Sequence, residues 1–478
     1  MASFFFHSDA GDSLFLAMRL IREGHHVKFY VNDPQSQDVG KGLVPRVPSF
    51  RPERNDVLVF DMVKHGVLAD NLRRRGFRVL GASRFADVIE LDRMAGHKVM
   101  QSVGIAIPDT YGFGKRGFKE ARELVRKNKE DEWFYKPSGN VDAGFTYGSR
   151  AWDEMIRMLD WFERDPPDKF IMQKKVKGTE VSLEGWFDGT RFVYPFNSTV
   201  EDKKFLAGDL GPATGCMANL VWAYEDPQPT LVLKTLWRLT SILRDVNYVG
   251  PIDLNMIIDS EGVPHGLEWS ARFGYDALHA LSMLITGDLG HQLEEFDHGR
   301  LDSFNVRRDL YALTIRCSVP PFPNFQFAKT VKGLPLDPAI LTDPNRIFVG
   351  DVMVENGKPF VAGSDAGVLV AGETGEHIGI LRDQVLDRIK SLKIPNAQYR
   401  RDPVVRAEDV LTSLRAHRYL PALPPPESEV WEMREGHEAS PIGRLGGGGK
   451  GAGTRVNMST TTMPASSSTV STPFSTDR

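Results

Sequence analysis

The sequence predicts an α/β and α+β protein of several structural units, and three observations carry that prediction. Over residues 3–80, short apolar runs alternate with amphipathic stretches, the pattern of parallel strands covered by helices. Around 169–189 and 249–270 the apolar runs come in pairs with a short break between them. The chain has 478 residues, 41% of them hydrophobic, enough for roughly two to four units with ample core.

In order, SFFF (3–6) reads as a first strand and HSDAGDS as the turn after it. Leu14, Met18 and Ile21, with Phe15 and Ala17, make a helical stripe that stops at Gly24. HVKFYV, VLVFD (57–61) and RVLG continue as strands, with a helix ending at Gly76 before the last. Residues 85–130 read as helical, broken at Pro108 and by the glycines of 112–117. EWFYKPSGNVDAGFTYGSR (132–150) reads as a strand and a glycine-containing loop, 151–164 as a helix, and 169–189 as two strands. Residues 197–217 show no apolar period and are expected to form a long loop. A helix is expected at 229–246 and a mixed α/β unit at 308–403. From about 421 the composition turns to Pro, Gly, Ser and Thr, and 421–478 reads as a disordered tail.

Net charge is −4, so no broad basic surface invites nucleic acid and no polybasic block invites a membrane surface. The two cysteines, Cys216 and Cys317, exclude a disulfide framework and a Cys-rich zinc site, and suit a reducing cytoplasm. No apolar run approaches the length of a membrane span.

The chemistry-bearing residues lie in the middle of the chain. In VGPIDLNMIIDSEG (249–262), Asp253 and Asn255 share one strand face, and in GLEWSARFG (266–274) Glu268 and Ser270 share another. A hairpin folded about DSEG sets Asp253 opposite Glu268, within one residue of register. Facing carboxylates are destabilising unless something positive lies between them. Oxygen ligands of this kind suit Mg²⁺, usually shared with a phosphate. The bland alternative is a solvated sheet face. Lys136 closes an apolar strand before a loop with Gly139, Gly144 and Gly148, a place where backbone amides and a point charge can meet a polyphosphate. The spacing is not that of a Walker loop. Glu180 follows the hinge-like QKKVKG (173–178), and Arg93 sits on a helix just upstream. Taken alone, each reads most simply as a surface side chain. Together they cover what ATP with Mg²⁺ requires.

Four stretches then resemble one family. GDLGPATGCM (208–217) is similar to a Gly-Asp-x-Gly-x-x-Thr-Gly-Gly-Met loop, and GLEWSARFG to a Leu-Glu-Phe-Asn-Ala-Arg-Phe-Gly metal strand. RVLGASRFADVIELDRMAGHKVMQSVGIAIPDTY and AQYRRD (397–402) resemble the linker and closing motif of the same family. The family is phosphoribosylamine–glycine ligase (glycinamide ribonucleotide synthetase), within the ATP-grasp superfamily. The resemblance spans about 55–405. It implies an ATP-grasp fold with an N-terminal Rossmann-like domain (1–95), a grasp domain (96–307, small lobe about 110–180) and a small C-terminal mixed α/β domain (308–420).

By position the resemblance gives Arg93, Lys136, Gly139 and Gly144 to the ATP phosphates, Gln173, Lys174 and Val176 to the adenine hinge, and Glu180 to the ribose. Asp253, Glu268 and Ser270 stand where the metal is held. Asp209, Gly211, Thr214 and Gly215 stand in the loop that closes on the amino acid and acyl phosphate, and Arg272 beside a phosphate or the amino-acid carboxylate. The implied reaction joins glycine to 5-phosphoribosylamine with ATP and Mg²⁺ (or Mn²⁺), in de novo purine synthesis. The implied partners are small molecules, in a monomer or weak dimer. Departures are equally legible. Ser270 replaces Asn in the metal strand, Ala213, Cys216 and Ala218 alter the closing loop, HSDAGDS lacks Gly-Gly-Arg-Glu-His, and FDMVKHG (60–66) replaces Gly-Pro-Glu-x-Pro-Leu. The last two both face the amine substrate in the family. A ligase with a different amine, and a nucleotide-binding protein without catalysis, are the competing readings.

Overall fold

A computed structural model describes residues 1–139, 145–273 and 275–421. Gly144, and the tail apart from Pro421, lie outside the described residues. Residues 1–422 form one compact unit.

The first layer is parallel, as the alternation predicts. Strands β1 (Ser3–Ser8), β2 (His26–Val31), β3 (Asp56–Phe60) and β4 (Arg78–Leu80) pair in the order β2-β1-β3-β4. Helix α1 (Leu14–Arg22) buries Leu14, Phe15, Leu16, Ala17 and Leu20. Its last turn carries Arg19 and Arg22, cations that suit the negative end of the helix dipole. Helix α2 (Gly66–Arg74) covers the other side through Ala69 and Leu72. Two further helices follow, α3 (Arg84–Leu91) and α4 (Arg93–Ser102). Asp92 separates them: its carboxylate accepts from the Ala95 amide at 3.1 Å and caps α4. That cap makes Arg93 the first helical residue.

A second, four-stranded sheet is ordered β5-β8-β6-β7, from β5 (Thr110–Gly114), β6 (Trp133–Pro137), β7 (Tyr147–Gly148) and β8 (Lys169–Lys174). Helices α5 (Phe118–Lys127) and α6 (Trp152–Phe162) close over it on a core of Phe118, Trp133, Tyr135, Leu159 and Phe170. Part of the glycine-rich stretch expected to be a break is therefore strand β5.

The large sheet has eight strands in the order β13-β12-β9-β10-β11-β14-β18-β15. Five of its strands are β9 (Thr179–Asp188), β10 (Phe192–Leu206), β11 (Leu210–Ala223), β12 (Val249–Ile258) and β13 (Pro264–Ser270). The loop expected at 197–217 is instead most of the β10–β11 hairpin, which turns at Ala207–Asp209. Polar residues on one strand face hid the alternation there. The helix expected at 229–246 is also interrupted. It runs as α7 (Thr230–Lys234), a 3₁₀ turn at Leu236–Leu239 and α8 (Thr240–Asp245). Thr235 leaves helical geometry between the pieces (φ −131°, ψ −99°), and its hydroxyl donates to the Leu231 carbonyl at 2.6 Å.

Helices α9 (Tyr275–Leu284) and α10 (Leu289–Asp297) lead to β14 (Tyr311–Cys317), which pairs with β11. Strands β15 (Ile347–Val349), β16 (Val352–Glu355), β17 (Lys358–Val361) and β18 (Leu369–Gly375) follow, then α11 (Ile378–Ser391) and α12 (Ala407–Ala416). β14, β18 and β15 continue the large sheet, while β16 and β17 pair separately. The parallel sheet is tied to the large one where the Gly81 amide donates to the Val249 carbonyl at 2.8 Å. A Cβ on Gly250 would lie 2.8 Å from the Gly81 nitrogen, so the close approach requires glycine.

Candidate active site

One face of the large sheet is apolar and buried, through Val181, Leu183, Leu254 and Met256. The other is polar, because cross-strand partners share a face. On β12 and β13, Asn255 pairs with Glu268 and Asp253 with Ser270. The register expected from the hairpin, Asp253 opposite Glu268, is thus off by two residues, with an irregularity between Asn255 and Met256. On β9, Glu184 lies beside Asp253 and Ser182 beside Asn255. On β10, Asn197 and Thr199 continue those two rows.

Seven charged groups meet at one end of this face. Arg93 Nη1 lies 2.6 Å from Glu268 Oε2, and Arg93 Nε donates to the Pro137 carbonyl at 3.0 Å. Lys203 Nζ is 3.3 Å from Glu180 Oε1, 3.5 Å from Glu201 Oε2 and 3.6 Å from Glu268 Oε1. Asn255 Nδ2 donates to Glu180 at 3.4 Å and to Ser182 Oγ at 3.2 Å. Lys136 is buried, 8% exposed. Burial opposes ionisation of Glu268, but Arg93, Lys203 and Lys136 overcome it and hold its carboxyl well below the usual range. Burial likewise opposes the Lys203 charge, and Glu180, Glu201 and Glu268 outweigh it. Lys136 goes the other way. Burial lowers it to about 8, with Arg93 and Lys203 adding to the effect and Glu268 resisting it. Asp253 is pushed well up, first by burial and then by Glu201 and Glu184.

The structure therefore brings together Arg93, Lys136, Glu180, Asp253, Glu268 and Ser270 from five separate stretches of sequence. Gly139 follows Lys136 with φ +98°, and its amide donates to the Leu91 carbonyl at 2.7 Å. The other expected residues lie elsewhere. Gln173 is buried at the end of β8 and donates to Thr110 Oγ1 at 3.1 Å. Lys174 pairs with Asp131 at 2.8 Å, and Val176 is half-buried in the connection to β9. Arg272 Nε donates to Glu90 Oε1 at 2.7 Å, and the Ala271 amide to Glu90 Oε2 at 2.8 Å.

The hairpin tip is held by the C-terminal segment. Asp209, at φ +55°, accepts from Arg400 Nη1 at 2.8 Å, and Arg406 stands 3.8 Å away. Arg400, 1% exposed, also grips Asp402 at 2.9 Å. The Gly208 amide donates to Asp402 at 2.8 Å. Thr214 turns its hydroxyl to the Lys203 carbonyl at 2.9 Å. Gly211 has φ +77° and Gly215 is exposed.

Sequence reasoning missed Lys203, Glu201, Glu184 and Glu90. The signal for the first two was present: Thr199, Glu201 and Lys203 alternate as one face of a strand. Glu184 has no such signal. It is 4% exposed, accepts from Trp186 Nε1 at 3.0 Å, and is raised by burial to about 7. Among the described residues, a trio of metal-ligating groups lies within 4.8 Å at Glu23, His25 and Asp288. There His25 Nδ1 accepts from the Ala2 amide at 3.0 Å, so Nε2 carries the proton shared with Asp288 and is not a ligand.

No protein-family model matches the chain. It is 21% identical over 347 residues to a phosphoribosylamine–glycine ligase of Streptococcus suis, covering 70% of this chain and 80% of that protein. It is 26% identical over 267 residues to one of Methanosarcina barkeri, covering 53% of this chain and 60% of that one. Among solved structures, the phosphoribosylamine–glycine ligase of Thermotoga maritima superposes with a TM-score of 0.65 at 19% identity, over 84% of this chain and all of that one. The biotin carboxylase domain of Hydrogenobacter thermophilus 2-oxoglutarate carboxylase, in complex with MgADP, ADP and bicarbonate, gives 0.56 at 12% identity, over 83% of this chain and 92% of that one.

Proposed function

Because this chain has the ATP-grasp fold, we propose that it is an ATP-dependent ligase that joins a carboxylate to an amine, using Mg²⁺ (or Mn²⁺). One observation carries the reading: Arg93, Lys136 and Lys203 converge on Glu268 beside Glu180, Glu201 and Asp253. A triphosphate needs cationic partners, and its hard cation needs carboxylate oxygens. Here the two sets stand against each other.

Arg93 and Lys136 would take the phosphates, with the backbone at Gly139 beside them. Glu180 would take the ribose hydroxyls and the Gln173–Val176 segment the adenine edge. Asp253, Glu268 and Ser270 would hold the metal. They fit it: the donors are all oxygen, and Asp253 is crowded by Glu201 and Glu184, a crowding that a cation relieves. When bound, Mg²⁺ offsets charge on the transferred phosphoryl group. The acid's carboxylate oxygen takes the γ-phosphoryl group of ATP, giving ADP and an acyl phosphate. The amine lone pair then attacks the carbonyl carbon. The C–N bond forms, the C–O bond to phosphate breaks, phosphate leaves with that electron pair, and the surplus proton on nitrogen passes to solvent. Asp209, Gly211, Thr214 and Gly215 would cover the acyl phosphate, and Arg272 would steady phosphate. No nucleophilic side chain is used, and both Cys216 and Cys317 are buried. Among the described residues no helix is long and apolar enough to cross a membrane. The unbridged cysteines favour a reducing, cytoplasmic setting.

Glycine and 5-phosphoribosylamine, the substrates that the similar proteins' names carry, are the first form of this reading. A second form, with a different amine, is favoured by Asp61, which stands within FDMVKHG and accepts from the turn HSDAGDS. The test is phosphate release from MgATP with glycine, with and without 5-phosphoribosylamine generated in place. Release that needs both establishes the first form. Release that needs an acid and another amine establishes the second. No release with any acid–amine pair overturns the ligase reading.

A further inference from the structure

The strand that carries Glu268 and Ser270 is held by one short stretch of helix. His97 Nε2 donates to the Leu267 carbonyl at 2.9 Å. Arg93 reaches Glu268 at 2.6 Å, and the Trp269 indole N–H donates to the Gly96 carbonyl at 3.1 Å. Glu90 completes the series. Its Oε2 accepts from the Ala271 amide at 2.8 Å, and its Oε1 from Arg272 Nε at 2.7 Å. Residues 90–97 thus grip Leu267, Glu268, Trp269, Ala271 and Arg272. The approach is close enough to require glycine at position 96: a Cβ there would lie 2.4 Å from the Ile89 carbonyl oxygen and 3.2 Å from the Trp269 ring.

Most of these contacts serve packing or a residue already placed in the site. His97 and Trp269 are 1% and 2% exposed, and Arg93 is proposed for the phosphates. Glu90 differs in what it holds. The Ala271 amide alone would tie α3 to the end of β13. Glu90 uses its other oxygen on the Nε of Arg272, the residue proposed to steady phosphate. A guanidinium held at Nε has its plane fixed, and with it the directions of both Nη groups, which are the groups that meet an oxyanion in a fork. The Arg272 side chain is 21% exposed and that of Glu90 14%. At such a boundary between core and solvent a long side chain otherwise samples several rotamers, and ordering it costs free energy. Ordering it beforehand removes that cost from the step in which charge develops on the phosphate.

Resting on the ligase reading above, we propose that Glu90 is a positioning residue for the phosphate that is transferred to the acid and then released. Its carboxylate fixes the Arg272 guanidinium against that phosphate, and it acts through Arg272 rather than on any substrate. The same two bonds hold the end of the metal strand at a set distance from α3, so the guanidinium and the ligands on β13 keep one geometry.

The experiment measures MgATP-dependent phosphate release by the full chain, with the acid–amine pair that it uses best. The variants are Glu90→Gln, Arg272→Ala and the two combined. Gln keeps one acceptor oxygen and turns an NH₂ group to the other donor, so the grip is broken without loss of volume. In Glu90→Gln, kcat should fall roughly tenfold or more while the KM for ATP stays put. The double variant should be no slower than Arg272→Ala alone, because a residue that acts through Arg272 has nothing left to act on. Calorimetry of inorganic phosphate binding to the full chain saturated with MgADP gives a readout apart from turnover. There Glu90→Gln and Arg272→Ala should weaken phosphate to the same degree. Arg272→Lys approaches the pair from the other side should Glu90→Gln fail to fold: it keeps the charge, loses the fork, and should lose kcat as Arg272→Ala does. A wild-type kcat in Glu90→Gln or in Arg272→Lys overturns this inference and leaves the ligase reading intact. So does a double variant whose loss is the product of the two single losses, the mark of a contact that serves the fold alone. Release by the wild-type chain with no acid–amine pair overturns the ligase reading, and this inference with it.

Discussion

Arg93 and Glu268 meet at 2.6 Å across the junction of α4 and β13. The same carboxylate faces Lys203 at 3.6 Å. A residue proposed for the phosphates and one proposed for the metal are thus in direct contact, and Arg93 helps to hold Glu268 charged. Glu268→Gln keeps the volume and removes the charge. Turnover at saturating Mg²⁺ should fall roughly a hundredfold or more, with the circular dichroism spectrum unchanged. Phosphate release across a Mg²⁺ titration checks it, and full activity would remove Glu268 from the metal site.

Ser270 is the cross-strand partner of Asp253, on the same face. An amide oxygen reaches further and ligates better than a hydroxyl. In Ser270→Asn the Mg²⁺ concentration for half-maximal rate should drop several-fold. An unchanged Mg²⁺ dependence would mean that position 270 does not face the cation.

Lys136 gives a pH prediction. Its ammonium is lowered by burial to about 8, and a bound triphosphate would raise it again. MgATP binding should therefore take up a proton near pH 8 to 9, and affinity should fall as pH rises through 8. Calorimetry in buffers of different ionisation enthalpy reads the proton directly. The folded chain also binds less proton here than the unfolded chain between about 8 and 10.5, so this group's contribution to stability rises with pH in that window. Lys136→Met should abolish turnover without lowering the melting temperature at pH 7, because it removes a buried charge.

Arg400 bridges Asp209 and Asp402 and stands 3.7 Å from Asp202. A lysine cannot reproduce that fork. Arg400→Lys should slow kcat while the KM for ATP changes little, and residues 206–211 should be cut faster by a protease. A variant with kcat and cleavage rate unaltered would show that the grip does not order the tip.

Local patterns made much of this legible. The parallel sheet of residues 3–80 follows from alternation of apolar runs with amphipathic stretches, and β12–turn–β13 from period-two patterning around DSEG. The hairpin β10–β11 was hidden because one of its faces belongs to the polar floor: Asn197, Thr199, Glu201 and Lys203 replace the apolar alternation that marks a half-buried strand. The break at Thr235 was hidden because its hydroxyl bonds within the helix, which no periodicity reveals.

By itself, the sequence marked several side chains as candidates for chemistry. Asp253, Glu268 and Ser270 stand at strand spacing, Lys136 lies before a glycine-rich loop, and Glu180 follows a hinge. These follow from local geometry, a rise and a period per residue. Only the tertiary structure decided which of them meet. Register put Asn255, not Asp253, opposite Glu268: the strands are one residue out of the expected register at Met256–Gly266, and an irregularity between Asn255 and Met256 adds another. Packing brought Lys203 to Glu268 and Arg400 to Asp209, across separations for which the sequence has no ruler. It also turned the amides before α1 toward Asp61, because a buried carboxylate takes the nearest donors that burial leaves it.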